Sequence, residues 1–200
     1  MSGSRDPWGE VLGSYLQGLY LFAAGALAGV LGITLLYFLS PGAESVASDA
    51  LSRVASAKVV VLERAGLRTE LSILFSNLIA IAAVMSLPAA VYRLEGERRF
   101  AYERLPRLLM VAAGALSIGA FSPPLVSPLF PFYLLYLLPH GVLEFSAIAL
   151  AYTVATARVP ELSRQLAALS VLLLVPSSFI EVNLSMKFAL RMAELLGYFG

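Results

Sequence analysis

The chain has no cysteine in 200 residues. Disulfides, thiolate nucleophiles and cysteine-ligated metals are therefore excluded, and the redox compartment is left open. There is one histidine, His140, and one tryptophan, Trp8. Charge is scarce: 14% of residues are Asp, Glu, Lys or Arg, against about 25% in an ordinary soluble domain. The net charge is +1, and the basic residues lie scattered near helix ends with no stripe. Nucleic acid is not a partner implied by such a pattern. Twelve of the 14 basic residues are arginine, which reads as genome composition or habitat. Catalytic signatures are missing too. The chain has no GxSxG, no HExxH and no phosphate-cradling glycine loop.

What is abundant is apolar sequence. The hydrophobic share is 59% and the mean hydropathy is +0.82. This composition describes an all-α, polytopic transmembrane helical bundle forming a single integral membrane domain in the cell membrane. Five spans are expected, at about 16–39, 71–91, 108–121, 132–157 and 162–185. The lead segment MSGSRDPWGEV carries acids as well as Arg5, and the apolar run after it is too long for a signal h-region. It is expected to stay as the first span rather than be cleaved. Trp8 and Tyr15 suit the membrane interface.

Within the first span Gly25 and Gly29 form GxxxG, extended by Gly32. The pattern lets another helix approach closely, from the same subunit or from a second copy in a homodimer. Pro41-Gly42 ends the span. The polar stretch 43–68 spaces Val46, Ala50, Val54, Ala57 and Val61 near helical intervals between charges. An amphipathic helix on the membrane or the bundle is expected there, with partner docking as its functional alternative. Pro88 lies near the far end of the second span. Residues 93–107, RLEGERRFAYERLPR, form a charged loop with five arginines and three glutamates. The uncharged SPPLVSPLFP at 122–131 cannot be a continuous helix and reads as a hairpin or re-entrant turn. Eight basic residues fall on the N-terminal side and six on the other. With the tight 93–107 loop dominating, the N-terminus is expected inside.

The apolar run LLYLLPHGVLEFSAIA at 134–149 carries Pro139, His140, Gly141 and Glu144. His140 and Glu144, four residues apart, share one helix face. A charge at a helix centre costs about 2.5–3.5 kcal/mol on insertion scales. Asn77 in the second span and Glu181 in the last, with Asn183 close behind, complete a candidate polar cluster from three spans. Pro139 frees the carbonyl of Leu135 and Pro176 that of Leu172, so kinked helices are expected at both. Such a set of groups can hold helices in register, pass protons or cations, or bind a divalent metal through His140, Glu144 and Glu181. The Ser177-Ser178 pair reads as hydroxyls bonding back to the preceding turn.

PHGVLEFSAIALA at 139–151 resembles the signature of the stage II sporulation protein M family of integral membrane proteins. LLLVPSSFIEVNLS at 172–185 and LFSNLIAIAAV at 74–84 are similar to that family's C-terminal and asparagine-bearing spans. The resemblance places His140, Gly141 and Glu144 on the family core, Glu181 on its late acid and Asn77 on one of its asparagines. Ser76, Ser146 and Tyr152-Thr153 depart from the asparagine, proline and glycine usual there. It implies a multi-pass membrane protein with several helices; a non-enzymatic protein whose cluster serves packing, ion passage or partner assembly is the leading expectation. In spore formers the family member scaffolds cell-wall hydrolases during engulfment, a role that does not carry over with the motif. The alternative is a membrane-embedded, metal-dependent enzyme built on the same cluster.

Overall fold

A computed structural model describes residues 6–39, 67–119, 122–127, 130–157, 159–185, 187–188 and 191. The expected amphipathic segment at 43–68 lies outside these residues, apart from 67–68, which open the second helix. The described residues are helical with no strand. Long helices α1 (Pro7–Leu39) and α2 (Leu67–Glu95) are followed by short α3 (Leu105–Gly114), then by α4 (Phe130–Thr156) and α5 (Pro160–Ile180). Three five-residue π-helical turns interrupt the pattern, at Phe100–Arg104, Ala115–Gly119 and Glu181–Ser185.

Local sequence sets the helix ends. Asp6 precedes Pro7, and its carboxylate accepts from the Trp8 amide at 3.0 Å. That is an N-cap followed by a proline whose missing N–H costs nothing in the first turn. α2 ends at Gly96, whose φ of 71° is open to glycine at little cost. Its amide bonds back to the Tyr92 carbonyl at 2.9 Å, satisfying one of the helix's last acceptors.

The contacts give the path. Ser170 on α5 bonds Ala147 on α4, and Ser177 bonds His140, so these two helices run antiparallel. Phe22 stacks on Phe145 at 4.7 Å while Val11 packs near Leu150, which makes α1 antiparallel to α4 as well. Tyr92 meets Tyr102 at one end of the bundle, and the Leu125 amide donates to Thr34 Oγ1 at the other. Between those ends the chain crosses the bundle through α3 and its flanking π turns. The central core draws on every helix: Phe22, Ile81, Val84, Met110, Ala147, Ala151, Tyr152 and Leu174.

Four helices among the described residues are long and apolar enough to cross a membrane. The third expected span differs from its prediction. α3 has only ten residues and is not one of those four helices, and helical structure begins at Arg98, earlier than position 108. Two glycines explain how so broken an element is held. A Cβ at Gly25 would lie 2.1 Å from the Val111 carbonyl oxygen, and one at Gly114 would lie 2.0 Å from that of Phe22. The backbones of α1 and α3 thus touch where both helices lack side chains. The glycine face of α1 is therefore partly used within the subunit: Gly25 is buried there, Gly29 is half-buried, and Gly32 is exposed with nothing within 4 Å. The expected homodimer seam cannot include Gly25.

The proline-rich turn is non-helical at 122–127, as its composition predicts. Ser122, Pro123 and Pro124 are buried, and the Thr34 hydroxyl satisfies a backbone amide there. Irregular backbone is tolerated at such depth when protein covers it.

Candidate functional site

The polar residues singled out by sequence lie halfway along α4 and on the facing parts of α2 and α5. Asn77 on α2 donates through Nδ2 to Glu144 Oε1 on α4. His140, 2% exposed, shares a hydrogen bond between Nδ1 and Ser185 Oγ at 3.0 Å. Tyr136 donates through its hydroxyl to Glu181 Oε1 at 2.5 Å, and its ring lies 5.0 Å from the His140 ring. Ser177 donates to the His140 carbonyl at 3.1 Å and also faces the Glu144 carboxylate. Asn183 donates to Glu70 Oε1 at 2.7 Å, tying the π turn to the start of α2. Glu144 and Glu181 stand within electrostatic reach of each other.

The arrangement is a ladder. Tyr136, His140 and Glu144 follow one another at intervals of four along α4. Ser177, Glu181 and Ser185 do the same on the other strand of the ladder. Four-residue spacing puts each triplet on one face, and antiparallel helices bring the faces together. The π turn at Glu181–Ser185 belongs to this contact, since it carries both Glu181 and Ser185. Wide turns of this kind re-aim side chains without ending a helix.

One expectation changes. His140, Glu144 and Glu181 are neighbours, but among the described residues no three His, Asp or Glu side chains are placed to hold a metal ion. The carboxylates are instead occupied by an amide and a phenol. α4 also runs through Pro139 as one 27-residue helix, and α5 runs through Pro176. The departures from α geometry are π turns elsewhere, and Pro139 itself is exposed, away from the cluster. Gly141 is closely packed. A Cβ there would meet the Phe145 ring at 3.0 Å, so the missing side chain makes room for the ring stacked on Phe22.

Ser178 does bond back, to the Val175 carbonyl at 3.0 Å, but Ser177 reaches across to α4. Tyr136, Ser177, Ser185 and Glu70 were not read as members of the cluster. The first three were within reach, because each stands four residues from a singled-out acid or histidine. Glu70 was not, since it opens α2 outside any apolar run. Among the described residues no buried side-chain nitrogen or oxygen lacks a hydrogen-bond partner.

Searched against family models, curated proteins and solved structures, the chain matches none.

Proposed function

We propose that this chain is a non-enzymatic multi-pass protein of the cell membrane in which the Asn77, His140, Glu144 and Glu181 cluster fixes α2, α4 and α5 as a scaffold for membrane-complex assembly. One observation carries the reading. The side chains of the cluster direct their cross-contacts to a different helical element, and among the described residues no buried side-chain nitrogen or oxygen is left without a partner. The amide and the phenol are each committed to a carboxylate, and the Ser185 hydroxyl to the imidazole, which ties neighbouring elements together. The motif PHGVLE and the late acid Glu181 fit a relationship to the stage II sporulation protein M family. They fit a multi-pass membrane protein, while the hydrogen bonds supply the physical basis of the scaffold reading.

A second reading rests on the proximity of Glu144 and Glu181, with Tyr136 touching both Glu181 and the His140 ring. Such a chain of groups could relay protons. Flux through proteoliposomes decides between them. The scaffold reading expects proton and alkali-cation flux no greater than that of protein-free liposomes, and no change in Glu144→Gln or Glu181→Gln. A flux that disappears in either variant would replace the scaffold with a conduit.

A further inference from the structure

The polar ladder stops at one level on three helices at once. On α4 the face of Glu144 continues as Ala147 and Ala151, both fully buried. On α2 the face of Asn77 continues as Ile81 and Val84, and on α5 that of Ser177 leads back to Leu174. These five side chains pack together in the central core. Ser170, one turn beyond Leu174, is fully buried too, and its hydroxyl is committed to the Ala147 carbonyl at 2.7 Å. In the other direction the same three elements stay polar. α4 carries His140, Tyr136 and Tyr133, the π turn after α5 carries Glu181 and Asn183, and α2 carries Glu70 two turns before Asn77.

We propose that Glu144 titrates against one face of the membrane only, the face at which Glu70 lies, so that acidity there decides whether the α2–α4 seam is closed by a carboxylate or by a neutral acid. Polar contacts line the way in from that end. Asn183 reaches Glu70 at 2.7 Å, Tyr136 reaches Glu181 at 2.5 Å, and the rings of Tyr133, Tyr136 and His140 follow at centroid separations of 6.5 and 5.0 Å. Water enters surroundings that can hydrogen-bond to it and leaves apolar ones dry. From the opposite end Tyr15 does reach Ser146, at 3.1 Å. Ser146 is two residues on from Glu144, and therefore about 200° round the helix, on the far side of α4. The titratable groups facing Glu144 are Glu181 on the π turn and Tyr136 and His140 on its own helix. α2 faces it with Asn77 and α5 with Ser177, while α1 and α3 bring Phe22 and Met110 to the core beyond it, neither of them ionisable. A carboxylate can only accept, and takes the Asn77 amide. The neutral acid must also place a proton, on Ser177 or on the Asn77 carbonyl oxygen.

One-sided access concerns the same cluster as the scaffold reading but rests only on the bundle sitting in a membrane. Its test is infrared spectroscopy of the intact chain in sealed proteoliposomes of a single insertion orientation. The protonated-carboxyl band of Glu144 is the one missing in Glu144→Gln and shifted in Glu144→Asp, so either variant assigns it if the other fails to fold. Because the chain has no cysteine, Lys187→Cys, exposed just beyond the π turn, reports through a membrane-impermeant maleimide which face is outside. A pH step on the Lys187 side is expected to take the band from full intensity to its loss, and the same step on the opposite side to leave it unchanged. A response to both sides, to the opposite side alone or to neither overturns the proposal. A two-sided response with proton flux would make the cluster a conduit and remove the scaffold reading as well. A two-sided response without flux would remove one-sided access and leave the scaffold standing.

Discussion

The two halves of this bundle are held by opposite means. Between α1 and α3 the contact is made by absence: Gly25 and Gly114 lack side chains, and each backbone presses against the other's carbonyl oxygen. Between α4 and its neighbours α2 and α5 the contact is made by polar side chains set at four-residue intervals. In lipid there is no hydrophobic gain from bringing apolar helices together, so close packing and interhelical hydrogen bonds are what remains. Here they are assigned to different seams. The glycine seam tolerates no added atom. The polar seam tolerates a change of atom type but not the loss of one partner.

That contrast orders the expected effects of substitution. The largest belongs to Gly114→Leu and Gly25→Leu, where even the first added carbon overlaps backbone. Overpacking typically costs 1–3 kcal/mol, and backbone overlap should reach about 3 kcal/mol or more. Size-exclusion and thermal melting in detergent should show loss of the folded monodisperse species. Gly32→Leu, on the same helix but open on its outer side, should melt within about 0.5 kcal/mol of the parent. Equal damage from both would mean that glycine content rather than the α1–α3 contact matters.

Next comes Glu144→Leu, which strands the Asn77 amide and should cost about 1–3 kcal/mol. Glu144→Gln keeps an acceptor for Asn77 and should recover most of that loss. Melting curves of the pair measure the difference. Smaller again is Ser185→Ala, which removes the partner of His140 Nδ1 at a cost of about 1 kcal/mol. The smallest is Pro139→Ala. Because α4 is already continuous through an outward-facing Pro139, the melting point should hold or rise. A large fall would show that the proline shapes the cluster after all.

The helical membrane class was legible because scarce charge and long apolar runs leave few alternatives. Asn77, Glu144, His140 and Glu181 were legible because a polar atom in hydrocarbon stands out against its neighbours. Tyr136 and Ser185 were hidden by their amphipathic character, since a tyrosine or serine in an apolar run is unremarkable until its partner is known. The interrupted third crossing was obscured for a different reason. π turns leave no compositional mark, and the helix begins inside a segment whose five arginines read as loop. Proline marks where a backbone hydrogen bond is lost, and Pro139 and Pro176 both lie inside helices that continue past them, with a π turn following α5 at Glu181–Ser185.

On the scaffold reading, the intramembrane acids are structural partners across helices. A double-mutant cycle on Asn77→Leu and Glu144→Leu, read as melting free energies in detergent, tests it most directly. If the pair is a structural contact, the double variant should lose less than the sum of the two single losses, with a coupling energy of about 0.6–1.7 kcal/mol. Strictly additive losses would contradict the claim, leaving Asn77 and Glu144 adjacent in space but without the bond that fixes α2 to α4.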